Sequence, residues 1–285
     1  MTLFFILFFM KKENSEEKKM RRLLSVLVVL SGFLLAGCAE AEGNELVVGL
    51  ECNYAPFNWT TSEETTTTVA VDGVDAYCDG YDVMVASLIA EELEMDLVIR
   101  KIEWDGLIPA LLADEIDVII AGMSPTPERA LTVSFTNEYY RSEQVLVVSA
   151  TGDYADATDL IAFNGASVIA QMGTLQDGLI DQITGVNHLN ALGDYPSLVA
   201  SLSSGVADAL VAELPVAQSI VASNSGLSIV QLGTNGFTVD DSDVSVSVAV
   251  RQEETDLLNS INEVLAELSD ETRTQWMTTA LDIQP

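Results

Sequence analysis

The chain has 285 residues, of which 44 are acidic and 12 basic, and its formal charge is −32 at pH 7. Residues 1–37 hold six of the basic and three of the acidic residues, which leaves a formal charge of −35 on the remainder. A surface of that charge repels nucleic acid and anionic membranes, so electrostatic binding to either is excluded. The single histidine, His188, has no histidine or cysteine at ligand spacing, which argues against a transition-metal site.

The front of the chain has the pattern of an export signal. Two arginines precede an apolar run over 23–35, and Leu35-Ala36-Gly37-Cys38 follows. This resembles a bacterial lipoprotein signal with its lipobox, in which Cys38 accepts lipid. The apolar run has about 13 residues, whereas a helix that crosses a bilayer needs roughly 20. We therefore expect 1–37 to be a signal region, with translation starting at Met20, and an uncleaved anchor is the alternative.

Strand and helix patterns alternate after a short tether over 38–45. Short β-branched runs predict strands at 46–50, 97–99 and 117–121. Between them, apolar residues recur at helical spacing from Tyr81 onward and again behind Asp105, which is predicted to cap the second helix. This order implies a parallel sheet, and ligands bind at the carboxyl ends of the strands of such a sheet.

The segment 122–129 lies at one of those strand ends. Gly122 allows close approach of the backbone, and Pro127 suits the first turn of a helix that Thr126 caps. Arg129 would then lie in the first helical turn, where a cation opposes the helix dipole unless an anion occupies the same place. The pattern indicates a carboxylate site, and an ordinary strand-to-helix connection with a surface arginine is the alternative.

The second half of the chain repeats part of the first. Tyr195–Glu213 matches Trp104–Gly122 without gaps, because leucines, an aspartate and an alanine recur at the same spacing. If two similar lobes face each other, Arg129 and Glu213 line opposite walls of one cleft, and such a pair complements a zwitterion. Further strands are predicted at 144–148 and 167–170.

The end of the chain returns to the first lobe. Val244–Val250 reads as a strand of that lobe. The final helix carries leucines, isoleucine and valine over 257–268, which cover one face.

Two cysteines remain after Cys38. Oxidation is permitted outside the cell, so we expect a disulfide between Cys52 and Cys78. Two unpaired, half-buried thiols are the alternative, since the sequence does not give the distance between them.

Six motifs between Leu46 and Trp276 resemble one family: Tyr54-x-Pro56-Phe57, Gly80-Tyr81-Asp82-Val83, Trp104-Asp105-Gly106-Leu107-Ile108-Pro109-Ala110-Leu111, Gly122-Met123-Ser124-x-Thr126-Pro127-Glu128-Arg129, Tyr139-Tyr140-x-Ser142 and Gly173-Thr174-x-Gln176. Together they are similar to the family 3 extracellular solute-binding proteins, the receptors of polar amino acid ABC transporters. The resemblance implies a two-lobed α/β fold of the type II periplasmic-binding-protein kind, with a mostly parallel sheet in each lobe and two crossover segments. The lobes would be 46–141 plus 244–285, and 142–243.

The resemblance also implies how the backbone groups of an amino acid would be held. Arg129 would bind the α-carboxylate with help from the hydroxyls of Ser124 and Thr174. The carbonyl of Gly122 and the carboxylate of Glu213 would bind the α-ammonium.

The remaining implied contacts are to the ligand side chain. Tyr54 and Trp104 would sandwich its aliphatic stem. Glu51, Gln171 and Gln176 would face its far end or the rim of the cleft. A second carboxylate in the cleft favours a basic or amide side chain, such as that of arginine, lysine, histidine or glutamine.

The resulting prediction is a binding protein without a cofactor, which delivers an amino acid to the permease and ATPase of an ABC importer. It would act as a monomer, exported and lipid-anchored to the outer face of the bacterial membrane, or periplasmic. An enzyme of the same fold, a dehydratase or hydrolase, is the first alternative, although no nucleophile lies beside a base in the sequence. A ligand-sensing domain is the second, and a chain that ends at Pro285 without a further apolar span disfavours it.

Overall fold

The computed structural model describes residues 44–285, so the predicted signal region, the lipobox with Cys38 and most of the tether lie outside the described residues. Its strands are β1 (Glu45–Leu50), β2 (Asn53–Tyr54), β3 (Asn58–Thr61), β4 (Val69–Ala70), β5 (Tyr77–Asp79), β6 (Asp96–Lys101), β7 (Val118–Ile119), β8 (Val133–Arg141), β9 (Gln144–Ser149), β10 (Ser167–Ile169), β11 (Asn187–His188), β12 (Ala209–Glu213), β13 (Leu227–Val230) and β14 (Ser245–Arg251). Its α-helices are α1 (Tyr81–Glu92), α2 (Leu107–Leu112), α3 (Leu175–Leu179), α4 (Tyr195–Ser203), α5 (Leu214–Ser223), α6 (Thr255–Glu267) and α7 (Asp270–Ile283). Between residues 44 and 285, none of the helices is long and apolar enough to cross a membrane.

The first sheet has the strand order β6-β1-β7-β14-β8. Strand β1 pairs in parallel with β6 and β7; Leu46, Val48 and Leu50 on one face are fully buried, and on the other face Gly49 is buried and Val47 half-buried. Burial on both faces explains why these strands are short apolar runs rather than alternating ones. Strand β14 lies in this sheet, which confirms the predicted strand that returns to the first lobe, and it runs antiparallel to both of its neighbours.

The second sheet has the order β11-β10-β12-β9-β13 and the same plan. Strand β10 pairs in parallel with β11 and β12, and β9 runs antiparallel to β12 and β13. In each sheet one strand therefore opposes the direction of the other four. The chain crosses between the sheets after Arg141 and again before Ser245, and the Ser142 N–H donates to the Val244 carbonyl at 2.8 Å. The two crossovers thus lie side by side.

A small third sheet, β2-β3-β5-β4, extends from the end of β1. Cys52 and Cys78 form a disulfide here, with their Cα atoms 5.7 Å apart. The Asn58 side chain donates to Asp82 Oδ2 at 2.8 Å, which fastens the small sheet to the first turn of α1. This sheet presents Tyr54 towards the second lobe.

Three local expectations from the sequence are wrong. The helix predicted behind Thr126 and Pro127 is only a 3₁₀ turn, Arg129–Leu131, because a β-branched strand begins at Val133. The Asp105 side chain caps nothing: a 3₁₀ turn precedes α2, and in it the Gly106 N–H donates to the Glu103 carbonyl.

The third correction concerns the end of the chain. The helix over 257–268 is not the last one, because α6 ends at Glu267 and α7 follows. Ser269 starts α7, since its side chain accepts a hydrogen bond from the Thr272 N–H at 3.1 Å.

Candidate functional site

Side chains from both sheets meet at one cavity at the ends of the strands. It is lined by Tyr54, Trp104, Gly122, Ser124, Arg129, Gln171, Thr174, Leu175, Gln176 and Glu213. Nine of these ten residues are predicted site residues, and Leu175 is the addition. Glu51, the remaining predicted residue, lies behind Gln171 rather than in the wall of the cavity.

Arg129 supplies the positive charge of the cavity. Its guanidinium donates to the Ser124 carbonyl at 2.9 Å and to the Gly173 carbonyl at 3.4 Å. The guanidinium carbon also lies 5.0 Å from the ring centroid of Trp104, a cation–π distance. Two of five N–H donors are used in these bonds, so the group is positioned and still has donors for an anion. Burial lowers the pKa of Arg129, and the nearby Glu213 opposes that shift.

Glu213 lies across the cavity at the end of β12, where it is 2% exposed. The Tyr54 hydroxyl donates to Glu213 Oε2 at 2.9 Å, so a residue of the small sheet contacts the second lobe directly. Burial raises the pKa of Glu213 to about 7, although the bond from Tyr54 lowers it. A carboxylate held in this way is a strong acceptor for an ammonium group.

Glu51 follows β1 and is also 2% exposed. Gln171 donates from Nε2 to Glu51 Oε1 at 2.8 Å and to the Gly193 carbonyl at 3.0 Å. Burial raises the pKa of Glu51 to about 8, and the bond from Gln171 lowers it. The contact joins the first lobe to the second, so Glu51 meets the cavity through an amide.

Gly122 has a backbone conformation that favours glycine, with φ of +64°. A Cβ at this position would lie 2.6 Å from Tyr54 Cε1. The Gly122 N–H donates to the Tyr139 hydroxyl at 3.1 Å, and that hydroxyl donates to Asp82 Oδ1 at 2.7 Å. Burial raises the pKa of Asp82 to about 6. The Gly122 N–H is thereby occupied, and Gly122 itself lines the cavity.

The residues at the start of α3 are held by the second lobe itself. The Thr174 hydroxyl donates to the Gln171 carbonyl at 2.7 Å and accepts from the Asp177 N–H at 3.3 Å, which caps the helix. Its proton is therefore already used, which differs from the expectation that this hydroxyl would donate to an α-carboxylate. Gln176 donates to Gln144 Oε1 at 3.0 Å.

Tyr195 packs against the cavity residue Tyr54, and the sequence did not single it out. It begins α4, is 6% exposed, and its ring centroid lies 4.8 Å from that of Tyr54 in the other lobe. Trp104 also bridges the lobes, because its indole N–H donates to the Gly173 carbonyl at 3.2 Å. The repeated spacing aligns Tyr195 with Trp104, and this match is the signal that would have identified it.

Comparison with known proteins gives a consistent result. The family model of bacterial extracellular solute-binding proteins, family 3, matches residues 46–279. The arginine-binding extracellular protein ArtP of Bacillus subtilis is 24% identical over 262 residues, which cover 87% of this chain and 92% of that protein. The L-cystine-binding protein TcyJ of Escherichia coli K12 is 28% identical over 231 residues, 80% of this chain and 78% of that protein.

A solved structure shows the same fold. It is an amino acid ABC transporter substrate-binding protein from Streptococcus pneumoniae bound to L-arginine, 29% identical, with a TM-score of 0.73 and coverage of 84% of this chain and 94% of that one. The fold is that of type II periplasmic-binding proteins. The chain belongs to the bacterial extracellular solute-binding proteins, family 3, and is a substrate-binding component of an amino acid ABC transporter rather than an enzyme.

Proposed function

We propose that this chain binds a cationic amino acid, with arginine as the first candidate, between its two lobes. The observation that carries the proposal is the charge of the cleft. Glu51 and Glu213 are both 2% exposed, and Arg129 is the one basic side chain that lines the described cavity. When each carboxylate has a positive partner and is ionised, two negative charges against one guanidinium give the cleft a net charge of one negative unit.

That surplus selects the charge of the ligand. A cationic amino acid carries one carboxylate and two positive groups, so its net charge of plus one balances the cleft. A neutral zwitterion leaves one buried carboxylate without a counter-charge, so that group must either stay unpaired or take up a proton, and both cost free energy at neutral pH. An acidic amino acid adds a second surplus charge. Cationic ligands should therefore bind best, followed by ligands with amide side chains.

The positions of the side chains support a specific orientation of the ligand. Arg129 and Ser124 would hold the α-carboxylate, with Thr174 contributing its backbone N–H. The Gly122 carbonyl and Glu213 would hold the α-ammonium.

The side chain of the ligand would extend towards Glu51. Its stem would lie between Tyr54 and Trp104, and Gln171 and Gln176 would border its far end. Relatives are named for different ligands, arginine for ArtP and cystine for TcyJ, while the solved neighbour from Streptococcus pneumoniae holds L-arginine. The charge of the cleft, rather than family membership, is thus what favours a cation.

The proposal includes the location of the protein outside the cell and its attachment to the membrane. An extracellular family and the lipobox at Leu35-Ala36-Gly37-Cys38 support export and lipid attachment at Cys38. The protein would then act as a monomer whose lobes, 46–141 plus 244–285 and 142–243, close on the ligand. It would deliver the ligand to a permease driven by an ATPase.

Calorimetric titration of the mature, unlipidated protein tests the ligand class. We expect arginine or lysine to bind more tightly than glutamine, and glutamate to bind most weakly. Tighter binding of glutamate than of arginine would contradict the proposal. A thermal-shift screen against the standard amino acids should agree, because a ligand that binds only the folded state raises its stability.

A further inference from the structure

Glu51 has an unusual environment for a carboxylate that is expected to bind a cation. It is 2% exposed, and its bond from the Gln171 amide at 2.8 Å is to a neutral donor. Gln171 is held in turn by the Gly193 carbonyl at 3.0 Å, so the amide is fixed with its N–H groups towards Glu51. Over residues 44–285, no arginine or lysine forms an ion pair with Glu51.

The titratable groups that face Glu51 from the surrounding elements do not compensate its charge. Glu103 precedes the turn that carries Trp104, Asp194 caps α4, and Asp82 lies in the first turn of α1; each raises the pKa of Glu51. Tyr195 is the neutral member of the group, and burial raises its pKa. An ionised Glu51 in the closed cleft therefore lacks both water and a positive partner.

A carboxyl group in such a place has two ways to avoid an unpaired charge: it acquires a cationic partner or it binds a proton. We propose that Glu51 holds a proton when the closed cleft contains an amino acid with an uncharged side chain, and loses it when the side chain is cationic. The side-chain charge of the ligand thus decides whether a proton is bound together with it. This inference rests on the proposed function only in that the side chain of the ligand extends towards Glu51.

The proton balance follows directly. In the open cleft, water reaches Glu51 and the group is ionised near neutral pH. Closure around an uncharged side chain forms an O–H bond on Glu51, with the proton taken from the buffer. Closure around a guanidinium or ammonium leaves Glu51 ionised, and no proton moves there.

The sign of the pH dependence is fixed by that balance. A complex that takes up a proton becomes weaker as pH rises, and the effect extends from the ordinary pKa of 4.5 to about 8, the raised pKa of the buried Glu51. A complex with a cationic ligand takes up no proton at Glu51. Neutral ligands are therefore accepted best at the acidic end of the window, and selectivity for cations increases with pH.

Protonation of Glu213 does not change the predicted difference between the two ligands, although burial also raises the pKa of Glu213, to about 7. Every amino acid presents an α-ammonium to the same carboxylate. Its contribution is shared by a cationic and an uncharged ligand of equal size, and it cancels when their affinities are divided.

Arginine and citrulline are the matched probes, because a ureido group replaces the guanidinium with little change of shape. Titration of the mature protein in buffers of different ionisation enthalpy measures the protons taken up with each ligand. We expect citrulline to take up close to one proton more than arginine at neutral pH. The dissociation constant of citrulline divided by that of arginine should rise by up to about tenfold per pH unit between pH 4.5 and about 8.

Two variants complete the experiment. Glu51→Gln should remove the difference in proton uptake and make the ratio of dissociation constants independent of pH, whereas Glu253→Gln, an exposed surface change, should behave like the wild type. Equal proton uptake for both ligands in the wild-type protein would overturn the inference while leaving the proposed function intact. Failure of arginine to bind at all would instead contradict the proposed function, and the wild-type titration separates these outcomes even if Glu51→Gln does not fold.

Discussion

The two lobes contain the same helix-and-strand unit. Asp117 precedes β7 and accepts from the Val47 N–H at 2.9 Å, and Asp208 precedes β12 and accepts from the Ser167 N–H at 2.8 Å. Each aspartate thus ties its strand to the neighbouring parallel strand, β1 in one lobe and β10 in the other. The paired leucines are also buried, Leu107 with Leu198 and Leu111 with Leu202. These matched aspartates and leucines, with the helices and strands that carry them, form a frame that is repeated in both lobes.

The units differ where they face the cleft. The first ends at Gly122, which presents backbone groups beside Arg129, and the second ends at Glu213, which presents a carboxylate. At the other matched position, Trp104 lies on Arg129 while Tyr195 packs on Tyr54. Residues that hold the sheet are the same in both lobes, and residues at the strand ends have diverged. The chemistry of the site therefore lies in a few positions that differ between two otherwise similar units.

Removal of the positive charge from the first lobe should have the largest effect. Arg129→Ala takes away the proposed partner of the α-carboxylate and leaves that carboxylate buried without a counter-charge, which typically costs 2–5 kcal/mol. We expect affinity for every amino acid to fall by about 30-fold to about 4,000-fold in calorimetric titration. Arg100→Ala is the control, because the Arg100 side chain is 38% exposed and pairs with Asp72 on the surface. Unchanged binding by Arg129→Ala would contradict the assignment.

Neutralisation of Glu213, at the end of β12 in the second lobe, should have the next largest effect on affinity. Glu213→Gln retains the size of the side chain and an acceptor for the Tyr54 hydroxyl, but removes the charge that faces the α-ammonium. We expect affinity to fall about 10- to 100-fold, with similar losses for cationic and neutral ligands. A loss confined to cationic ligands would show that Glu213 binds the side chain instead.

Addition of a side chain at the end of the first unit should disturb packing as well as binding. In Gly122→Ala the new Cβ would meet Tyr54 at 2.6 Å, at a φ of +64°. We expect a loss of about 2–3 kcal/mol in the free energy of unfolding, measured by urea denaturation, together with weaker ligand binding. Gly73→Ala is the matched control, since Gly73 has a φ of +69° and no atom within 4 Å of the built Cβ. Its cost should be about 1 kcal/mol, and equal losses would refute the role of the contact with Tyr54.

Substitution of the matched aspartates of the frame should have the smallest effect on ligand affinity. Asp117→Asn and Asp208→Asn each weaken an acceptor for a backbone N–H, at about 1 kcal/mol. The loss should be somewhat larger at Asp117, which also lies 3.5 Å from the Arg251 guanidinium. Denaturation curves should show both losses, and ligand affinity should stay within about twofold of the wild type. A large change in affinity from either variant would mean that the frame and the site are not separable.

The frame was also the part that the sequence predicted best. Strands such as β1 and β14 are buried on both faces, so they appear as apolar β-branched runs. The matched spacing of Leu107 and Leu198 likewise revealed the second unit. Such patterns are visible because burial of apolar area constrains every residue of an element.

Local geometry was predicted less well, because it depends on neighbours that are distant in the sequence. Thr126 and Pro127 are good helix starters, yet the chain there has only one 3₁₀ turn before it pairs with β14. The Thr174 hydroxyl is used on the Gln171 carbonyl, and Tyr195 reaches Tyr54 only because the lobes meet. Contacts between lobes leave no periodic signal along the chain.

A crystal structure of the mature protein with L-arginine would show which lobe holds each group of the ligand. We expect the α-carboxylate on Arg129, the α-ammonium between the Gly122 carbonyl and Glu213, and the guanidinium directed towards Glu51 from between Tyr54 and Trp104. A ligand bound in the reverse orientation, or with its α-carboxylate away from Arg129, would contradict the division of roles between the two lobes.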